Sequence, residues 1–255
     1  MTIQTGGGFE ADVAPRPNGD GVVLSTDVTQ LRRFATGLDT PGVGTNEGQR
    51  ADSAPRATFG DGFITSGDVV QGRRYATGLD ELTPAGGPLV APPPAEAARS
   101  IFGDFYAYFF GREMRISAEK GSGNGRVTMA VEMVPYGDEV AAGFTLEYDA
   151  SKLSNPQVKL GDAAPLGSVL TVNTNLAGRI GILVDSGEAF SSSTKAKRFV
   201  IVTFDVAPDA KGDTKISMTS SLAAKVMADA FGNALSARFV GGSVNLSDAV
   251  RRSKE

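Results

Sequence analysis

The chain has no cysteine, no histidine and no tryptophan among its 255 residues. Without cysteine there are no disulfides and no thiol nucleophile. Without histidine the usual general base and the usual zinc and haem ligands are missing. No apolar run approaches the ~18 residues of a membrane span. Residues 1–20 lack a basic start and an apolar core, so no signal peptide is read there, and the chain is taken as a mature form or a piece of something longer. A net charge of −4 is too small to imply nucleic acid, and no basic stripe appears. Lysine is absent from residues 1–100, which hold 12 acidic and 8 basic residues, whereas residues 101–255 hold 17 of each. Glycine is plentiful at 32 residues, with 13 prolines, which favours turns and strands over long helices. The length allows one large domain or two modest ones.

The acidic excess sits in two glycine-centred loops about 41 residues apart. The first runs Asp12-Val-Ala-Pro-Arg-Pro-Asn18-Gly-Asp20-Gly21-Val22 and on to Asp27. The second runs Asp52-Ser-Ala-Pro-Arg-Ala-Thr-Phe-Gly-Asp61-Gly62-Phe63-Ile-Thr65-Ser66-Gly67-Asp68. Each leads into nearly the same phrase, Gln30-Leu-Arg-Arg-Phe-Ala-Thr-Gly-Leu-Asp39 and Gln71-Gly-Arg-Arg-Tyr-Ala-Thr-Gly-Leu-Asp80. A duplicated oxygen-rich loop feeding a short helix suits calcium, whose loops place ligands at positions 1, 3, 5, 7, 9 and 12 around a glycine at 6. Asn18, Asp20 and Asp27 fit positions 3, 5 and 12, Val22 offers its carbonyl at 7, water serves at 9, and Asp12 reaches position 1 across an insertion. In the second loop Asp61 and Asp68 fit positions 5 and 12, Phe63 offers its carbonyl, Thr65 stands at 9 and Asp52 at 1. Two calcium ions are expected. Calcium is abundant outside cells, so the expected setting is extracellular or a cell surface of bacterial type. Val28, Leu31, Phe34 and Leu38 share a helical face, which Val69, Tyr75 and Leu79 repeat, and Gly37 and Gly78 stand where helices stop. Gly72 replaces Leu31 in the second copy, so the second helix is expected to be the weaker.

On these residues the chain over about 9–82 resembles a dockerin, the calcium-binding duplicated module of cellulosomes. The resemblance rests on Asn18-Gly-Asp20-Gly21 with Asp27, on Gly60-Asp61-Gly62 with Asp68, and on the helix phrases. It departs from the family in the insertion in each loop and the longer stretch between repeats. It implies a paired EF-hand-like helical module with partner contacts at Ser25, Thr26, Arg32 and Arg33, and in the second copy at Ser66, Gly67, Arg73 and Arg74. Solvated helix faces are the alternative reading of the arginine pairs. Residues 83–100 begin with a proline-rich run, a semi-rigid linker expected to keep this module apart from residues 101–248.

Residues 101–248 read as an antiparallel β-sandwich of many short strands separated by turn signals, so the chain is mainly β with a small α domain. Strands are expected at 105–110, 114–120, 126–134, 142–148, 157–160, 169–173, 178–184, 198–206, 215–219 and 238–246, with a turn at Ser154-Asn-Pro156 and helical spacing over 220–230. Gly125-Arg-Val-Thr-Met-Ala-Val-Glu-Met, Val140-Ala-Ala-Gly-Phe-Thr-Leu-Glu-Tyr-Asp149, Gly178-Arg-Ile-Gly-Ile-Leu-Val, Val200-Ile-Val-Thr-Phe-Asp-Val-Ala and Gly241-Gly-Ser-Val-Asn-Leu resemble a cohesin over about 112–247. Cohesins are jelly-roll sandwiches and the partners of dockerins. Fibronectin-like and carbohydrate-binding sandwiches are the alternatives.

Residues 101–110 hold 6 of the 19 aromatic residues. They read either as a strand packed on both faces or a plug between the two domains, or as an edge strand that docks on a neighbour through Phe105, Tyr106 and Tyr108. The carboxylates Asp138, Glu139, Glu147 and Asp149 read as solvated surface, so no enzyme is expected. The function expected is calcium-dependent self-assembly, the dockerin-like module of one subunit pairing with the cohesin-like sandwich of another to give a fibre, sheath or surface assembly. Recruitment to another cohesin- or dockerin-bearing protein, or glycan binding, is the alternative.

Overall fold

The computed structural model describes residues 8–88, 112–118 and 125–246. Residues 8–88 form the helical module. Helix α1 (Ser25–Ala35) and helix α3 (Ser66–Ala76) follow the two loops, and a short helix α2 (Glu47–Ala51) lies between them. The repeated phrase builds the same helix end twice. Gly37 and Gly78 both take φ +69, the left-handed conformation that lets Leu38 N–H and Leu79 N–H reach back to the Arg33 and Arg74 carbonyls at 2.9 Å. Asp39 and Asp80 close that end by accepting from the arginine and the glutamine of each phrase. The arginine beside each aspartate holds both carboxyls down to about 2.

The helices meet through unequal partners. Leu31 and Gly72 occupy the same place in the two repeats, and a Cβ on Gly72 would stand 2.3 Å from Leu31 Cδ1. Gly72 is therefore the hole that Leu31 fills. The position is thus the seat of Leu31.

The sandwich has two sheets. One has the order β11–β1–β2–β7–β4, from Ala237–Val240, Arg112–Ala118, Arg126–Met133, Lys197–Val206 and Leu153–Leu160. The other has the order β10–β9–β3–β6–β5, from Ala234–Leu235, Val226–Asp229, Glu139–Glu147, Arg179–Asp185 and Val169–Asn173. Strand β8 (Asp213–Thr219) also pairs with β3, and β12 (Gly242–Asn245) pairs with β8. Between the sheets lie Phe144, Phe190, Phe199 and Phe204, with Phe190 and Phe199 edge to face at 5.3 Å.

Most expected strands fall on observed ones, and the differences have causes. The stretch 238–246 breaks at Gly241, so β11 runs parallel to β1 while β12 crosses to β8. The 220–230 stretch, whose helical spacing could also be read as irregular, holds strand β9, because it pairs with β3. Ser154-Asn-Pro156 is a bulge within β4, with Asn155 at φ +49, instead of a turn. The 105–110 strand lies outside the described residues.

Candidate functional site

The outer face of the β9–β3–β6–β5 sheet carries the helical module. Along β6, Ile180, Ile182 and Val184 turn into the sandwich core, so Gly181, Leu183 and Asp185 turn outward. Leu183 is nevertheless fully buried and belongs to the apolar cluster of Leu31, Phe34 and Val69. A Cβ on Gly181 would stand 2.8 Å from the Thr36 carbonyl. Asn173 on β5 donates to that carbonyl at 2.9 Å. Val70 of α3 packs against Val140, Ala141 and Ala228. Strand β3 is buried at every position from Glu139 to Leu146. A sheet with one wet face would alternate instead.

Asp185 is the electrostatic centre of this contact and is 1% exposed. Arg32 donates to it through Nε at 2.7 Å and Nη2 at 3.1 Å, and Arg73 donates through Nη1 at 3.3 Å. Arg73 also donates to the Ser186 carbonyl, and its burial pushes its guanidinium below the ordinary arginine value. Two cations on one buried carboxylate make a directional clamp, since each guanidinium fork must be aimed. Around it, Ser66 Oγ donates to the Val226 carbonyl at 3.2 Å, and Arg74 donates to the Ala230 carbonyl at 2.8 Å with its guanidinium 5.0 Å over Phe231.

Of the partner residues read from sequence, Arg32, Ser66, Arg73 and Arg74 thus meet the sandwich of their own chain. Gly67 does too, at the Gly232 carbonyl. Ser25 and Thr26 are exposed, and Arg33 is turned onto Asp39. Phe105, Tyr106 and Tyr108 lie outside the described residues. Against the expectation that the linker keeps the modules apart, the helical module meets the sandwich at these contacts. The first residues of the linker stretch pack on the helical module, where Glu10 N–H donates to the Thr83 carbonyl at 2.9 Å, Ala85 N–H to the Gly8 carbonyl at 3.0 Å, and Gly86 N–H to Glu10 Oε1 at 2.9 Å. Asp185, Asn173 and Leu183 were missed in the sequence. Their signal was an outward-facing row on β6 of glycine, leucine and aspartate, which is not the row of a solvated sheet.

The loops use their carboxylates on backbone amides. Asp12 accepts from Asp20 N–H at 3.1 Å and Gly21 N–H at 3.0 Å, and Asp27 accepts from Val13, Ala14 and Leu24 at 2.7–2.8 Å. In the second loop Asp52 accepts from Asp61 and Gly62, and Asp68 from Ser53, Ala54 and Thr65. Asp20 and Asp61 accept from Val22 N–H and Phe63 N–H two residues on. Thr65 is the N-cap of α3, accepting from Gly67 N–H. Asn18 offers its carbonyl to a guanidinium, that of Arg50. Burial pushes Asp52 up to about 6, pushes Glu10 beside it up to about 7, and raises Asp68 well above the carboxylate range. Among the described residues no group of three or more acidic side chains is arranged to hold a metal ion. In the first loop the Arg50 guanidinium stands beside Asp12 and the carbonyls of Pro17 and Asn18.

Elsewhere Asp138 and Glu139 are paired with Arg112, and Glu147 with Arg179. Among the described residues no helix is long and apolar enough to cross a membrane.

No protein-family model and no curated protein matches the chain. Similar solved structures are cohesins. The sixth cohesin of scaffoldin B from Acetivibrio cellulolyticus, solved in complex with a Cel5 dockerin mutant, is 19% identical at TM-score 0.46, over 53% of this chain and 99% of that one. A non-cellulosomal cohesin from Archaeoglobus fulgidus is 12% identical at TM-score 0.44, over 52% and 89%. The seventh ScaB type I cohesin from Pseudobacteroides cellulosolvens is 23% identical at TM-score 0.44, over 52% and 90%.

Proposed function

We propose that this chain is a non-catalytic protein–protein interaction unit in which a dockerin-like helical module occupies the binding face of its own cohesin-like sandwich. The observation that carries the reading is the clamp of Arg32 and Arg73 on the buried Asp185, flanked by apolar contacts from Leu183 and Val70. Both halves present complementary surfaces, so the same contact can form within a chain or between chains. Re-formed between chains it is a heterologous, head-to-tail contact, and repetition gives rings or open filaments. An assembly role is the use that this geometry supports.

Complementation tests it. Asp185→Arg spoils the sheet face alone, and Arg32→Glu with Arg73→Glu spoils the helix face alone. Each variant should fail to close on itself. Mixed, the intact helical module of the first should dock on the intact sheet of the second, and light scattering should show a heterodimer. Two variants that stay monomeric when mixed, while folded by circular dichroism, would sink the reading.

A further inference from the structure

We propose that Arg50 is the cation of the first loop: its guanidinium stands in place of a bound metal, and the first repeat holds its shape without calcium. Arg50 is 0% exposed. Its Nη1 donates to the Asn18 carbonyl at 2.5 Å and lies 3.7 Å from Asp12 Oδ2, and its Nη2 donates to the Pro17 carbonyl. Carbonyl and carboxylate oxygens are the donor types a calcium loop uses, and Asp12 is the expected ligand that the guanidinium meets. Here the charge is covalently part of the chain.

The surrounding loop is shaped to that side chain. The Arg50 backbone is fixed on both sides, its N–H donating to the Asn46 carbonyl at 3.0 Å and its carbonyl accepting from Ala11 N–H at 2.7 Å. Gly19 takes φ +71, and a Cβ there would stand 2.1 Å from Asp12 Oδ1 and 2.5 Å from Arg50 Nη1. Only glycine leaves room for the guanidinium under that turn. The second repeat lacks the device. The residue two before its aspartate is Arg50 itself, and the residue two before Asp12 is Glu10, so the second loop is faced by a carboxylate where the first is faced by a cation.

Amide hydrogen exchange on the full chain decides this. In excess chelator, residues 18–21 should be protected, and millimolar calcium should change that protection by less than about twofold. Arg50→Gln should raise exchange in the same segment by about a hundredfold, with calcium failing to restore it. An unprotected first loop in chelator, or wild-type protection that rises about tenfold or more on adding calcium, overturns the proposal. Should Arg50→Gln fail to fold, the wild-type comparison of chelator against calcium still separates the two outcomes. Changes confined to residues 52–68 leave the first loop metal-free, as expected.

Discussion

The two repeats are written in nearly the same words and do different work. Both end their helices with the same arginine–aspartate closure. Yet the second repeat lays the start of its helix on the sandwich, with Ser66 and Gly67 buried, while the matching Ser25 and Thr26 of the first are exposed. The first repeat reaches the sheet with the far part of its helix, where Arg32 and Thr36 bond to it and Leu31 and Phe34 share a cluster with Leu183. The first loop is faced by Arg50, and the second by Glu10. Duplication supplied two equivalent surfaces, and single residues gave one of them to the sandwich and left the other open.

The largest effect that would break this asymmetry is loss of the carboxylate both arginines share. Asp185→Ala leaves two guanidinia at a buried contact without their acceptor, at a cost of about 3–5 kcal/mol. The module should come off the sheet, giving a larger radius of gyration in solution scattering and two separate melting transitions. An unchanged radius would show that Leu183 and Val70 hold the contact alone.

Next is the acidic second loop. The Glu10 carboxyl is raised from 4.5 to about 7 by burial, with the Asp52 charge adding to the shift. The folded chain therefore binds this proton more tightly than the unfolded one. That contribution to stability is complete below 4.5 and is lost as pH rises towards 7, about 3 kcal/mol in all. Denaturant unfolding of the helical module should show it less stable at about pH 8 than at about pH 5, and Glu10→Gln should flatten the slope. A module that gains stability over that range would contradict the burial.

How much of this the sequence carried follows from range. The loops, the two helices and most strands are local patterns of spacing and turn residues, and they were legible at Asp20-Gly21, Asp61-Gly62 and the alternation along β6. Arg32 and Arg73 were candidate contacts in the dockerin resemblance. Their acceptor was not, because Asp185 lies 153 residues from Arg32 and nothing local marks it. Arg50 was hidden for the same reason, sitting in the connection between repeats while serving a loop 32 residues earlier. The contact of Gly72 was not legible because it depends on what Leu31 does across the helix pair.

That pair gives a smaller, sharper test. Leu31→Ala should cost about 2–4 kcal/mol as a cavity, and Gly72→Ala about 1–3 kcal/mol as an overpacked contact. Together they should cost less than their sum by about 1–2 kcal/mol, because the new methyl enters the space the leucine leaves. Strict additivity in denaturant titrations would mean that the two positions do not face each other.

The smallest effect isolates docking from helix closure. Arg33 and Arg74 hold Asp39 and Asp80 in the same two-pronged way, but only Arg74 also reaches the Ala230 carbonyl and lies over Phe231. Each pair is near the surface, so losing the closure costs about 0.5 kcal/mol at either site. Arg74→Ala should cost about 1 kcal/mol more than Arg33→Ala, from the lost hydrogen bond and ring contact with the sandwich. In the background of Asp185→Ala, where the module is already free, that difference should vanish. A difference that persists there would place the extra value of Arg74 inside the helical module, and the second repeat would then owe its docking to the buried face of α3 alone.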